Sequence, residues 1–362
     1  MPISGNVSLI HIAAGNSGYI DKLALYPHLA EFFLQLERFR RRENRHYDIV
    51  HSNYWLSGKV GVWAQMHWHV PHFALFHTLG AVKNMFPVGS PEPELRIATE
   101  KLVAKTCSFI LAETERERAQ LIELYDAPPD KITVIPCGVD FARFRPLDKQ
   151  TAREQLGICS HEVILLYVGR LDPLKGVDRL ITALKELQHN QPLRLLIAGG
   201  DGNEAAEFRS LQQLTRDLGL ENSVTFLGRI DHHDLPRYYS AADIFVLPSH
   251  TESFGLVGLE ALACGTPVVS TRVGAMDRIV RSGETGYLVN SADPRSLAEG
   301  IELLMAQIRV GLISRPAIRN SVIQFSWEKV AAVMAEQYEQ AAGISQPGFL
   351  PYAASRLPIY VA

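Results

Sequence analysis

Short apolar runs alternate with longer stretches whose apolar positions recur every three or four residues, and this rhythm holds from residue 7 to residue 342. The runs "VSLIHIAA" (7–14), "YDIVHS" (47–52), "HFALFHT" (72–78), "SFILAE" (108–113) and "ITVIP" (132–136) predict a first series of strands. A second series is "VILLYVG" (163–169), "LRLLIAG" (193–199), "VTFLG" (224–228), "DIFVLPS" (243–249), "PVVST" (267–271) and "GYLV" (286–289). Most are apolar throughout instead of alternating, as expected of strands covered on both faces. Helical patterns fall between them, for example at 176–190, 203–218 and 294–308. Such alternation predicts an α/β protein with parallel sheets wrapped by helices.

The series restarts after "FRPLDKQTAREQLGI" (144–158), which divides the chain into a domain over 1–150 and a domain over 151–324. A last helix is expected over 325–342, packing back toward the first domain, followed by an aperiodic tail over 343–362. Open α/β sheets bind ligands beyond the carboxyl ends of their strands. Two such domains offer two ligand surfaces, and a cleft between them could bring two substrates together.

Composition narrows the classes. With 47% hydrophobic and 21% charged residues in 362, the chain is ordinary globular material. A net charge of −3 argues against a broad nucleic-acid footprint. Cys107, Cys137, Cys159 and Cys264 form no Cys-x-x-Cys pair and read as thiols of a reducing cytoplasm. No apolar run approaches spanning length, and no signal-peptide pattern opens the chain.

The stretch "TESFGLVGLEALACGTPVV" (251–269) carries the chemistry. Ser253 is a suitable N-cap for a helix from about Phe254 to Cys264. First-turn amides lack intrahelical partners and favour an anion, and Gly255 would let a ligand approach the backbone. A carboxylate against a phosphate would repel it, so Glu252 and Glu260 suit hydroxyls on either side of one. A nucleotide sugar has that layout. The plain alternative for the pair is a first-turn acid complementing the helix dipole and a solvated helix residue.

Neighbouring segments favour the first reading. In "YVGRLDPLKG" (167–176), Gly169 permits a tight turn, and Arg170 and Lys175 are cations at the same sheet edge. "IAGGDG" (197–202) supplies another close-approach loop, and "FLGRI" (226–230) ends a strand with backbone groups able to meet a base. No Asp-x-Asp pair occurs, so no metal-chelating pair for a diphosphate is evident.

These segments resemble family 4 retaining glycosyltransferases of the GT-B fold, two Rossmann-like doubly wound domains facing a cleft. The carriers are "GRLDPLKG", "LLIAGGDG", "VTFLGRI" and "ADIFVLPSHTESFGLVGLEALACGTPVVSTRVGA". "HSNYWLSGKVG" (51–61), "HTLGAVKN" (77–84) and "EPELRIATEKLV" (92–103) look most like the inositol-phosphate enzymes of the mycothiol pathway, with sucrose-phosphate synthases near. The resemblance implies that Arg170 and Lys175 bind the donor diphosphate beside Gly169 and stabilise it as it leaves. It implies that Glu260 holds the donor ribose, and that Arg229 and Ile230 lie near the base. Glu252, with the amides of Phe254, Gly255 and Leu256, would hold the transferred sugar. His77 would lie by the reacting sugar. Lys22, Tyr54, Thr78 and Arg96 match positions that bind an acceptor phosphate, and Lys83 matches a further acceptor-side cation. The implied enzyme is a metal-independent, cofactor-free, cytoplasmic hexosyltransferase using a UDP-linked sugar and a small phosphorylated acceptor, without nucleic acid.

Two departures from the pattern matter. The chain starts at what resembles the family's third strand, so about 60 upstream residues are expected, at roughly 30 per β–α unit. The expectation is therefore a fragment or misplaced start, or a homologue that binds donor but transfers poorly. "VGAMDRIV" (273–280) also departs, where relatives carry Gly-Gly and a glutamate. Rival readings are a lipid- or polysaccharide-directed transferase, a sugar-nucleotide epimerase and an inactive donor-binding fragment. The basic amphipathic segment "FFLQLERFRRRENRHY" (32–47) keeps peripheral membrane contact open, and a homodimer is open too.

Overall fold

The computed structural model describes residues 2–4, 6–15, 18, 21–187, 192–200 and 205–343. Two compact units result. Among the described residues, the first takes the chain up to Val82, Glu92–Val134 and Ala335 onward. The second takes Lys83–Pro91 and Ile135–Met334.

The first unit opens with a hairpin of β1 (Pro2–Ser4) and β2 (Val7–Ser8), then α1 (Leu29–Arg42). Next come β3 (Val50–Asn53), α2 (Trp55–Trp68), β4 (His72–Leu75) and α3 (Gly80–Lys83). They are followed by α4 (Glu94–Thr106), β5 (Phe109–Ala112), α5 (Glu115–Tyr125) and β6 (Ile132–Val134). The sheet is parallel in the order β3-β4-β5-β6.

The strand expected over 7–14 does not join it. Only Val7–Ser8 is extended, antiparallel to β1, and Val7, Leu9 and Ile10 are 50%, 47% and 40% exposed. An apolar run becomes a parallel strand only where a neighbouring strand pairs with it and helices cover its faces. This one lacks that cover. The basic segment at 32–47 is helical only to Arg42; Phe33 packs on Trp63 and Trp68 of α2, and Glu37 ties Arg40, Arg41 and Trp68. Its aromatic side is therefore spent on a neighbouring helix.

The second unit runs α6 (Lys149–Gln155), β7 (Val163–Val168), α7 (Val177–Ala183), β8 (Leu193–Ala198) and α8 (Ala205–Asp217). It continues with β9 (Val224–Gly228), α9 (Leu235–Ala241), β10 (Ile244–Leu247), α10 (Leu256–Ala263) and β11 (Val268–Thr271). Then follow α11 (Met276–Ile279), β12 (Gly286–Val289), α12 (Pro294–Arg309), α13 (Arg315–Ser321) and α14 (Trp327–Ala341). The helix expected over 176–190 stops at Ala183, and residues 188–190, 201–204 and 344–362 of the sequence reading, the end of the "IAGGDG" loop among them, lie outside the described residues. α14 passes from the second unit to the first at Ala335, and Tyr338, in the first, meets His51 and Phe73 of that unit's sheet.

The six parallel strands lie in the order β12-β11-β10-β7-β8-β9. Alternate residues feed two cores: Ile164, Leu166, Phe245 and Leu247 face one way, and Leu165, Tyr167, Ile197 and Val246 the other. The chain winds outward from β7 to β9, returns to β10 beside β7, and winds the other way. That reversal is a topological switch point, and the loops leaving β7 and β10 diverge there to form a crevice.

Candidate active site

The crevice of the second unit is built by close backbone approach. Gly169 N donates to Ala198 O at 3.0 Å, and Gly199 N to Gly228 O at 2.8 Å. A Cβ at Gly199 would stand 1.7 Å from Gly169 O, so only glycine fits between these strand ends. A cavity of about 390 Å³ opens there, lined among others by Gly169, Arg170, Gly199, Gly200, Arg229 and Ile230.

The next turn carries the cations. Asp172 accepts from Leu174 N at 2.9 Å and caps the turn Pro173–Lys175. His250 N donates to Leu174 O at 2.8 Å, which fastens this loop to the one leaving β10. Lys175 Nζ then lies 2.7 Å from Glu252 Oε1, with both side chains mostly buried. Ser249 Oγ donates to the same oxygen at 2.7 Å. Glu252 Oε2 has no partner among the described residues and can accept a hydroxyl. Arg170 leaves the same loop, is 64% exposed, and lies 3.7 Å from Asp172.

The helix start differs from the sequence reading. α10 begins at Leu256, not Phe254, and its N-cap is Gly255 at φ 92°, not Ser253. Phe254 belongs to the core, so the chain turns after it, and Ala275 N holds its carbonyl at 2.9 Å. No side chain caps the helix, and the amides of Phe254, Gly255 and Leu256 donate to no described residue. This leaves the helix terminus more open to an anion than a serine cap would. Glu260, one turn on, is 8% exposed. Burial pushes its carboxyl above the usual range, and hydrogen bonds from His232 Nε2 (3.1 Å) and Tyr239 OH (2.9 Å) draw it back.

In the first unit, Arg96 gathers the expected phosphate cradle. Its Nη2 donates to Thr78 O at 2.9 Å and to Thr78 Oγ1 at 2.8 Å, and its guanidinium lies over the Tyr54 ring at 5.1 Å. Glu92 bridges the two cations, at 2.9 Å from Arg96 Nη1 and 3.4 Å from Lys22 Nζ. The Arg96 contact is ionic and off-line, for buried Nη1 has no hydrogen-bond partner among the described residues. Glu100, fully buried, receives Arg96 Nε (2.7 Å), Tyr125 OH (2.7 Å) and Gly80 N (3.0 Å). His77, at φ 59°, places Nδ1 3.0 Å from Glu113 Oε1 and Nε2 3.0 Å from Asn53 Oδ1. Lys83 ends α3 and groups with the second unit.

The family model described as Glycosyl transferases group 1 matches residues 148–309, and that described as Glycosyltransferase Family 4 matches residues 6–143. The D-inositol 3-phosphate glycosyltransferase 2 of Catenulispora acidiphila is 38% identical over 349 residues, 94% of this chain and 82% of that protein. The chain belongs to glycosyltransferase family 4. The sucrose-phosphate synthase of Thermosynechococcus elongatus superposes with a TM-score of 0.85 at 34% identity, covering 93% of this chain and 84% of that one. Anabaena HepE in complex with UDP superposes at 0.74 and 22% identity, covering 86% and 82%, which shows the GT-B fold alone.

Around this glycosyltransferase's expected site residues stand polar partners that the sequence did not single out: Glu92, Glu100 and Tyr125 about Arg96, Glu113 and Asn53 about His77, and His232 and Tyr239 about Glu260. Each reaches its partner across loops or helices, and pattern reading sees only local spacing. Glu92 and Glu100 had a local signal, each sitting four residues from Arg96. Among the described residues, no three His, Cys, Asp or Glu side chains converge as a metal site, and no helix is long and apolar enough to cross a membrane.

Proposed function

We propose that this hexosyltransferase moves a sugar from a nucleoside diphosphate, UDP in the first instance, to a hydroxyl of a phosphorylated polyol or sugar, with retention and without metal. The observation that carries the reading is Lys175 held 2.7 Å from Glu252 at the switch point, beside the uncapped start of α10. There the diphosphate would meet free amides, Lys175 and Arg170, and the free oxygen of Glu252 would take a sugar hydroxyl. Glu260 would hold the ribose, with Arg229 and Ile230 by the base.

The acceptor half of the reading rests on Lys22, Tyr54, Thr78 and Arg96, and is supported by the names of the relatives at 38% and 34% identity. We assign no carboxylate nucleophile. The acceptor hydroxyl attacks the face the diphosphate leaves and passes its proton to the departing diphosphate oxygen. Lys175 and Arg170 stabilise the negative charge that grows on that oxygen. Cys107, Cys137, Cys159 and Cys264 stand outside any disulfide, two of them buried, in keeping with a reducing cytoplasm.

The test is a matrix of nucleotide sugars against phosphorylated polyols and hexoses, with EDTA present and product anomers read by NMR. Transfer to a phosphorylated acceptor with retention is expected. Product from donor alone would make the protein an epimerase, and transfer only to unphosphorylated acceptors would remove the cradle from the mechanism. Lys175→Ala should cut kcat by about 10²-fold or more with little change in donor KM, as for a group acting mainly in the transition state. An effect on KM alone would assign Lys175 to ground-state binding.

A further inference from the structure

We propose that His232 is a positioning residue that sets the ribose selectivity of the donor site by orienting the Glu260 carboxylate. The proposal rests on the reading that Glu260 holds the ribose.

His232 lies in the loop after β9 that carries Arg229 and Ile230, and its ring meets Phe144 edge-on at 4.9 Å. Arg143 Nη1 is 2.9 Å from its Nδ1. A guanidinium can only donate, so Nδ1 accepts and carries no proton. The proton of the neutral ring is then on Nε2, which faces Glu260 Oε1 at 3.1 Å. The tautomer follows from the chemistry of the arginine, and it makes His232 a donor to Glu260. On the other side, the hydroxyl of fully buried Tyr239 donates to Oε2 at 2.9 Å.

Two donors thus fix the carboxylate plane, one on each oxygen. An ionised carboxylate has about four lone-pair sites, so one on each oxygen stays open to a ligand hydroxyl. Burial alone would drive Glu260 to take up a proton and lose acceptor capacity, and the two donors oppose that. Without His232, the Oε1 side would lose both its orientation and its charge-stabilising contact. A ribose would suffer, while a sugar lacking the hydroxyl would lose little.

Glutamine at 232 can do both tasks, its carbonyl accepting from Arg143 and its amide donating to Glu260. Alanine can do neither. The ring is half exposed, so both variants should fold, and unfolding midpoints will confirm it.

The experiment is titration calorimetry of the full chain, wild type, His232→Ala and His232→Gln, with UDP, ADP and GDP and with the 2′-deoxy and 3′-deoxy forms of whichever binds best. Wild type should prefer the ribonucleotide by about tenfold or more over at least one deoxy form, the scale of one lost hydrogen bond to a charged group. His232→Ala should weaken the ribonucleotide about tenfold and that deoxy form less than twofold, collapsing the preference, and His232→Gln should restore it. Equal loss for both nucleotides, no loss, or a glutamine variant no better than alanine would reduce His232 to a packing residue and overturn the proposal. No binding of any nucleoside diphosphate by wild type would instead overturn the donor reading. Tight wild-type binding without ribose preference would detach Glu260 from the ribose and His232 with it.

Discussion

Glu92 stands between the two cations assigned to a phosphate, within 2.9 Å of Arg96 and 3.4 Å of Lys22. Its side chain is almost wholly buried, and a buried carboxylate between two cations is well placed electrostatically. On the proposed reading, an acceptor phosphate must share or replace it. Glu92→Gln should therefore lower the acceptor KM several-fold at saturating donor, since it removes a negative charge that competes with the phosphate for Lys22 and Arg96. A raised acceptor KM would mean that Glu92 holds Lys22 and Arg96 in place. At this scale the sequence singled out the candidates that sit in short motifs, Lys175, Glu252 and Glu260, and the first two meet in the structure. It was not legible for His232, whose partners Arg143 and Glu260 are distant in the chain, nor for the tie from Glu92 to Lys22, seventy positions away.

Elements were legible where burial agrees with pattern. The apolar runs at 163–169 and 193–199 became β7 and β8, buried on both faces, within a residue of their expected ends. The run at 7–14 has the same letters without the cover, and is exposed. The start of α10 was misjudged because serine is the better cap by local chemistry, yet burial of Phe254 decides where the chain turns. Close helix–strand packing was likewise invisible. A Cβ at Gly61 of α2 would lie 2.2 Å from His72 Nε2. The His72 ring is fully buried and bonded to Ser52 Oγ at 2.7 Å, so it cannot step aside. Gly61→Ala should gain helix propensity of about 1 kcal/mol but lose more to overpacking, for a net destabilisation of about 1–3 kcal/mol in urea unfolding. Unchanged stability would show that β4 can give way.

For the whole molecule, alternation foretold that the two larger sheets are parallel, while their strand order, and with it the switch point, came from the structure. Its response to pH was not foretold, because it depends on which groups the fold buries. Burial lowers His72 to about 4, so the proton it would take in the unfolded chain opposes folding in acid. Its contribution is intact above about 6.5 and is lost as pH falls toward 4. Glu117 is raised to about 8 by burial, with Glu113 adding to it, so its contribution is intact below 4.5 and is lost as pH rises through 8. Glu117→Gln should flatten the decline in unfolding free energy between pH 5 and pH 8.5. Parallel wild-type and variant curves would mean that Glu117 is already ionised in the native state.

Lys175 already leans on Glu252 in the proposed donor site, as Lys22 and Arg96 do on Glu92 in the proposed cradle. Cations matched in advance broadcast little long-range attraction, since a neighbouring counter-charge cancels the field within a few ångströms. The enzyme should therefore find its anionic ligands by chance encounter and hold them by fit, and the rate of capture should barely slow as ionic strength climbs.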